Sequence, residues 1–362
     1  MFDGSRHHLA SRRTGPDASS PSGVPSPSVS RPTALMAYVR RALMPHSVSE
    51  MTSSIADILD AEPRAAATKR IKNDRLRRIA EAIDAGGRHD LPAARLLLRS
   101  RELGDERNYF NSQRPLVQLQ GYVTVAGDLF AHDALASGPV LEFGSGTRNS
   151  VSLGALLYVN GAPQVTCYEP GRVNLAQSGL ALRELLVDVI RSPSTFNISG
   201  GPDELLVQRA VDLLCSRSGA GSPLELIGSL DAVGHDVRFT LVLSNHVFEH
   251  VDDPCAEWTR LRGLSAAGGR QLHRVDFRDH RTFKPGPART SPLHFYADGE
   301  LTSSNGLRPS DIERALTTSG WSFRRLRTAE IDPKKFVPPK SRRFAAYPTD
   351  ELSITEIDYL LW

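Results

Sequence analysis

The chain has 362 residues, 40% hydrophobic and 23% charged, enough to bury one large core or two modest ones in an ordinary globular protein. Its 44 Lys and Arg against 41 Asp and Glu leave a net charge of +3, too near balance for bulk electrostatics to suggest nucleic-acid binding. Cys167, Cys215 and Cys255 lie far apart with no CxxC spacing, which excludes a disulfide framework or a cysteine-type zinc site as an organising feature. A reducing, cytoplasmic setting is expected, and no apolar run approaches the ~18 residues that span a bilayer.

Residues 1–50 are dense in Ser, Pro and Arg and poor in large apolar side chains. They cannot bury enough surface to offset their ordering entropy, so a disordered tail is expected. The Arg- and Ser-rich, acid-poor make-up has the look of a transit peptide, with an unstructured tail the plainer reading. Helical periodicity begins after Pro63, where Leu76, Ile79, Ala80 and Ile83 share a face and Gly86-Gly87 supplies a stop. Asp90 caps a second helix with Pro92 in its first turn. The basic run from Lys69 to Arg78 has the chemistry to touch phosphates, but a solvated helix face accounts for it more simply. Residues 51–135 are therefore expected to form a helical segment that covers the core.

From residue 136 the pattern becomes strands alternating with helices. The apolar run 139–143 ends at Gly144-Ser145-Gly146 and leads into a helix at 151–159, a βα unit whose turn brings backbone N–H groups close to a ligand. A second strand, 164–168, ends at Glu169, where a carboxylate can accept from both hydroxyls of a ribose. Helices at 175–190 and 204–215 follow, then strands at 224–227, 239–244 and 270–276, the last after a Gly268-Gly269 turn. Continued alternation predicts an α/β fold: a doubly wound, Rossmann-like, mostly parallel sheet. Ligands bind such sheets at the carboxyl ends of the strands, where Gly144, Glu169, Asp231, Asn245 and Asp276 all fall. Asn149 occupies the third glycine position of a dinucleotide fingerprint, which disfavours a pyrophosphate. A ligand without phosphate, adenosine with an amino-acid tail, fits better.

These residues resemble the class I S-adenosylmethionine-dependent methyltransferases, particularly the broad group that contains the ubiquinone/menaquinone-biosynthesis type. The resemblance rests on VLEFGSGT (140–147), Glu169, Asp231-Ala232 and LVLSNHVFEHVDDP (241–254), in order across about 136–280. It implies S-adenosylmethionine as cofactor. Gly144, Ser145 and Gly146 would pass against its methionine part, Glu142 would hold its amino end, and Glu169 its ribose. Asp231 would reach the adenine amino group with Ala232 beside the ring, and Asn245 and His246 would line the wall near the sulfonium. Thr240 stands where the family usually has Asp, and the stretch between Glu169 and Asp231 is longer than usual.

Methyl transfer to a hydroxyl needs a base, and histidine has the natural pKa for it. His250 is expected on the helix after strand 239–244, four residues from His246 and on the same side. The segment His273 to His280 carries three open readings. His273 or His280 acts as base oriented by Asp276 or Asp279; Asp276, Asp279 and a histidine hold a divalent metal; or Arg278 clamps Asp276 or Asp279 as a structural ion pair. No metal site is called for. Pro285-Gly286-Pro287 opens an expected insertion near 281–308, where Phe295, Tyr296, Asn305 and Arg308 could shape an acceptor pocket and hold its anionic or hydroxyl groups. A helix capped by Ser310, a strand from Trp321 to Leu326 and a last antiparallel strand burying Ile354, Ile357 and Leu360 complete the chain.

The expected function is methyl transfer to a small-molecule acceptor, an oxygen of a sugar or saccharide precursor. The alternatives are a quinone, lipid or natural-product acceptor, or a non-catalytic protein that keeps the fold for binding. A nucleic-acid methyltransferase is disfavoured by the charge balance and by Ser244-Asn245-His246-Val247 standing where an Asn/Asp-Pro-Pro-Tyr/Phe run would be. No nucleic-acid or membrane partner is expected.

Overall fold

Strands form where short β-branched and aliphatic runs end in glycine or acidic turns, and helices where apolar residues recur every three to four. The computed structural model describes residues 52–54, 113–147, 149–215, 222–280, 304–332 and 341–362, with Leu293, Tyr296, Gly299 and Leu301. The expected tail 1–50, the helices expected within 64–103, Phe295 and the Pro285-Gly286-Pro287 loop lie outside them.

The chain order is β1 (Thr52–Ser54), α1 (Gln113–Ala126), a 3-10 turn (Gly127–Phe130), α2 (His132–Ala136) and β2 (Val140–Phe143). Next come α3 (Ser152–Val159), β3 (Val165–Tyr168), α4 (Leu175–Arg191), α5 (Pro193–Phe196), α6 (Asp203–Leu214) and β4 (Leu224–Ile227). A 3-10 turn (Leu230–Ala232), β5 (Phe239–Asn245), a 3-10 turn (Phe248–His250), α7 (Pro254–Leu264) and β6 (Ser265–Asp276) follow. The chain closes with α8 (Pro309–Thr318), β7 (Phe323–Glu330), α9 (Thr349–Ser353) and β8 (Ile354–Leu361).

The strands lie in the order β1-β4-β3-β2-β5-β6-β8-β7. Strands β2 to β6 are mutually parallel where they pair. Strand β8 runs antiparallel between β6 and β7. This is the doubly wound, mostly parallel sheet with an antiparallel C-terminal strand that the sequence predicts. Side chains alternate between two buried faces. Val140, Val165 and Leu243 pack with helices α1, α3, α4 and α6 on one face, while Leu141, Val242 and Val275 pack with α7 and α8 on the other. The long stretch between Glu169 and Asp231 is accounted for by α4 to α6, which all cover the first face.

Four expectations change. Strand β1 replaces helix at the start of segment 51–135, because the free edge of β4 offers backbone donors and acceptors that a short antiparallel strand satisfies. Gly268 and Gly269 form an irregularity inside β6 rather than a turn before it, since β6 starts directly at Ser265. His250 sits on the 3-10 turn, not on a helix. Asp253 caps α7 by accepting from Ala256 N (3.0 Å), and Pro254 follows, so the helix begins only there. In β8, Ile354 and Ile357 are buried as expected, but Leu361 is buried rather than Leu360. An interior strand covered on both faces does not need strict alternation.

Arg308 also departs from expectation. Rather than facing a ligand, it is fully buried and donates to the carbonyls of Phe277 (3.1 Å), Glu351 (3.0 Å) and Ile354 (2.8 Å), with its guanidinium over the Phe277 and Tyr296 rings. It staples the segment after β6 to the start of β8. Arg308→Met removes all three of these buried bonds and is expected to lower the unfolding free energy by about 3 kcal/mol, read by urea denaturation. Asn305 is likewise structural: its Nδ2 donates to the carbonyls of Phe248 (2.7 Å) and Val251 (2.9 Å).

Candidate active site

Chain order reverses between β2, which pairs with β3 on one side and β5 on the other, and a crevice opens at such a switch point. At the carboxyl ends of these strands lies a cleft of about 450 Å³. Its floor is the turn that leaves β2. Gly144 (φ +77) and Gly146 (φ +87) adopt the left-handed conformation that glycine takes without strain. The N–H groups of Gly144 and Ser145 both donate to Tyr168 O at 2.9 Å, so the turn is laced to β3.

Glu169, at the tip of β3, accepts from Gly146 N (2.7 Å) and Gly171 N (2.8 Å). A carboxylate offers about four lone-pair sites, so these two bonds leave capacity for hydroxyl donors. Glu142 forms the inner wall, 6% exposed; its Oε2 accepts from Gly154 N (3.1 Å) and from the Cys167 thiol (3.4 Å). Burial pushes its carboxyl up to about 8, with repulsion from Glu169 adding to the rise while the Cys167 and Gly154 bonds oppose it. A cationic group entering the cleft would reverse that shift. Asn245, at the end of β5, lines the cleft together with Thr147 and Asn149 of the loop after the turn. The Ser152 hydroxyl donates to Asn149 Oδ1, which places a side chain across the start of α3 where an anion would otherwise dock.

Sequence reasoning missed one wall. Arg114, Pro115 and Gln118 of α1 line the same cleft, although α1 precedes the βα core. The signal was present: Arg114 and Gln118 are one turn apart on a helix whose Leu116, Leu119 and Tyr122 are buried. Tyr122 donates to Ser244 O (2.8 Å) and so ties α1 to β5.

Five of the expected cofactor residues thus share the cleft: Glu142, Gly144, Ser145, Gly146 and Asn245, with Glu169 bonded to its floor. Asp231 and Ala232 do not line it. They sit on the exposed turn after β4, where Asp231 accepts from Arg260 Nη2 (2.5 Å) and from the Ser229 backbone-capping hydroxyl (3.2 Å). His246 follows Asn245 and is the non-glycine residue with positive φ among the described residues, at +56. Its Nε2 is 2.8 Å from Glu356 Oε2 on β8. Burial raises the Glu356 carboxyl, but the His246 bond and the charges of His246, Arg274 and Arg327 outweigh it and hold it below the ordinary range. Such strain at a strand end is held by surrounding contacts and concentrates at functional sites.

The expected base His273 is corrected. Its ring is fully buried between Ser244 Oγ (2.7 Å) and Gln271 Oε1 (2.8 Å), edge-on to Phe248 and Trp258. Both nitrogens are occupied, and burial pushes the imidazole down to about 3, so it stays neutral inside the sheet. The unfolded chain takes up that proton from about pH 6.5 downward, so His273 favours unfolding as pH falls from there to about 3.

The loop clamp describes Asp276. It accepts from Arg278 Nε (2.8 Å) and Nη2 (2.7 Å), and these bonds together with His280 outweigh the effect of burial and hold its carboxyl well below the ordinary range. Asp279 is buried beside it. His280 Nε2 lies 3.7 Å from Asp276 Oδ2, and the His280 and His250 rings meet edge to face, centroids 4.9 Å apart.

No family model matches the chain, and no curated protein matches it. Among solved structures it is similar to the DhpI–SAH complex, at 16% identity and TM-score 0.33, covering 75% of this chain and 94% of that one. It is also similar to the glycopeptide N-methyltransferase MtfA, at 16% identity and TM-score 0.34, covering 68% and 90% of the two chains. A third is magnesium protoporphyrin IX methyltransferase (ChlM) from Synechocystis PCC 6803 with bound SAH, at 14% identity and TM-score 0.35, covering 69% and 81%. Among the described residues no helix is long and apolar enough to cross a membrane.

Proposed function

We propose that the chain is an S-adenosylmethionine-dependent methyltransferase acting on an oxygen of a small polyhydroxylated acceptor, such as a sugar or saccharide precursor. The observation that carries the reading is one constellation: the left-handed Gly144–Gly146 turn, bonded through Gly146 to Glu169 and facing Glu142 and Asn245 across a single cleft. That arrangement suits an amino-acid tail joined to a ribose, and Asn149 over the start of α3 disfavours a phosphate.

In this reading the turn backbone and Ser145 pass the methionine part, Glu142 takes the amino group and Glu169 the ribose hydroxyls. When bound, the cofactor supplies the electrophilic methyl group, and the protein supplies alignment and a base. With His273 sealed inside the sheet, His246 takes the base role. It adjoins Asn245, and Glu356 holds one ring nitrogen, which sets the tautomer and the orientation of the ring.

The test is calorimetry of S-adenosylmethionine and S-adenosylhomocysteine on the full chain, followed by an acceptor screen. Micromolar binding and methylated saccharides are expected. His246→Ala should lower kcat by about 100-fold with cofactor affinity retained. A folded sample that binds neither compound would overturn the reading in favour of a non-catalytic scaffold. Methylation of phenolic or amine acceptors alone would overturn the acceptor assignment.

A further inference from the structure

Beyond the cleft, the turn after β5 and the end of β6 assemble a second group of donors that the cofactor site does not use. Glu249 is 3% exposed, and neither of its carboxyl oxygens has a hydrogen-bond partner. Leaving a carboxylate buried in that state is costly unless a cation or a proton compensates it. Ligand atoms of Glu249, His250 and His280 lie within 4.8 Å of one another. The two imidazole centroids lie 4.9 Å apart, and Asp276 Oδ2 is 3.7 Å from His280 Nε2.

The turn that presents Glu249 is pinned. Asn305 N donates to Glu249 O (2.6 Å), and the Asn305 side chain bonds the carbonyls before and after, on Phe248 and Val251. Rigid support of this kind is what a ligand set needs to keep its geometry. A second grouping of His246, Glu249 and Asp276 is equally close, but His246 is bonded to Glu356 and Asp276 to Arg278.

We propose that Glu249, His250 and His280 bind a divalent first-row transition cation. Two imidazoles and one carboxylate suit Zn²⁺, Mn²⁺ or a similar ion better than Mg²⁺ or Ca²⁺, which prefer oxygen donors. Three protein ligands leave a position open, and a hydroxyl held there would lose its proton more readily. That role in acceptor binding rests on the methyltransferase reading; the binding of the cation does not.

The full chain, stripped with a chelator, would be titrated with Zn²⁺, Mn²⁺ and Mg²⁺ separately, and with S-adenosylhomocysteine in parallel. One Zn²⁺ or Mn²⁺ per chain is expected, bound more tightly than Mg²⁺. Glu249→Gln keeps the shape of the buried group without its charge, and His280→Ala removes a second donor; each should weaken the ion by at least about tenfold. Circular dichroism and retained S-adenosylhomocysteine binding show that the variants are folded. No saturable Zn²⁺ or Mn²⁺ binding, unchanged affinity in both variants, or loss confined to His246→Ala would each overturn the site. Ion binding without S-adenosylhomocysteine binding would support the metal site and overturn the methyltransferase reading; the converse would do the reverse.

Discussion

Gly144→Ala is expected to abolish measurable S-adenosylhomocysteine binding or weaken it by at least about tenfold, roughly 1.4 kcal/mol. Two causes act together. At φ +77 an alanine bears a left-handed cost of about 1 kcal/mol. Its Cβ would also stand 2.4 Å from Val247 Cγ2 and 2.9 Å from Cγ1, distances no real side chain tolerates. Val247 packs against the buried cluster of Phe143, Phe248 and Trp258, so the turn moves more easily than the valine. The turn carries Gly146 and hence the bond that holds Glu169, so the carboxylate proposed to take the ribose moves along with the floor. Val247→Ala in the same chain removes both offending methyl groups and should restore part of the affinity, leaving the left-handed cost in place. Wild-type binding by a folded Gly144→Ala variant would show that the ligand does not use this turn.

Glu142 should make cofactor binding depend on pH. Its carboxyl, raised to about 8 by burial, is largely protonated in the empty cleft at neutral pH. Binding the cofactor's ammonium group requires the charged form, so binding releases a proton. Affinity then rises with pH toward about 8 and levels off above it, by as much as tenfold per unit. Calorimetry in buffers of different ionisation enthalpy measures the proton release, and Glu142→Gln should remove both the release and the slope. The stability of the unliganded chain has the opposite sign. The unfolded carboxyl ionises near pH 4.5 and the folded one only near 8, so the contribution of Glu142 is full below about 4.5 and is lost as pH rises to 8. Glu142→Gln should therefore unfold at higher denaturant than wild type at pH 8, with the gap closing toward pH 4.5. A slope unchanged by the substitution would remove Glu142 from the binding role.

Much of this arrangement is local and therefore legible in the chain. The run Val140–Phe143 ending in Gly144-Ser145-Gly146 has one physical reading, a buried strand leaving through a turn that needs φ above zero. Glu169 at the tip of β3 and Asn245 at the tip of β5 follow from the same logic, because parallel strands aim their carboxyl ends at one crevice. The reversed β8 was also expected from the apolar run that closes the chain, and it pairs antiparallel with β6 and β7.

What composition and periodicity did not reveal depends on which residues meet across the sheet. His273, Arg308 and Asn305 carry the groups expected of a site, yet the fold spends them inside: His273 on Ser244 and Gln271, Arg308 on three carbonyls, Asn305 on the turn that holds Glu249. Conversely, α1 brings Arg114 and Gln118 to the cleft from outside the alternating core, and β8 brings Glu356 to His246 from 110 residues away. Strand and turn type are set by short-range sterics and by burial of each segment, which the sequence by itself determines. The chemistry of a polar side chain is set by burial and by partners distant in the chain, and these exist only once the sheet has closed.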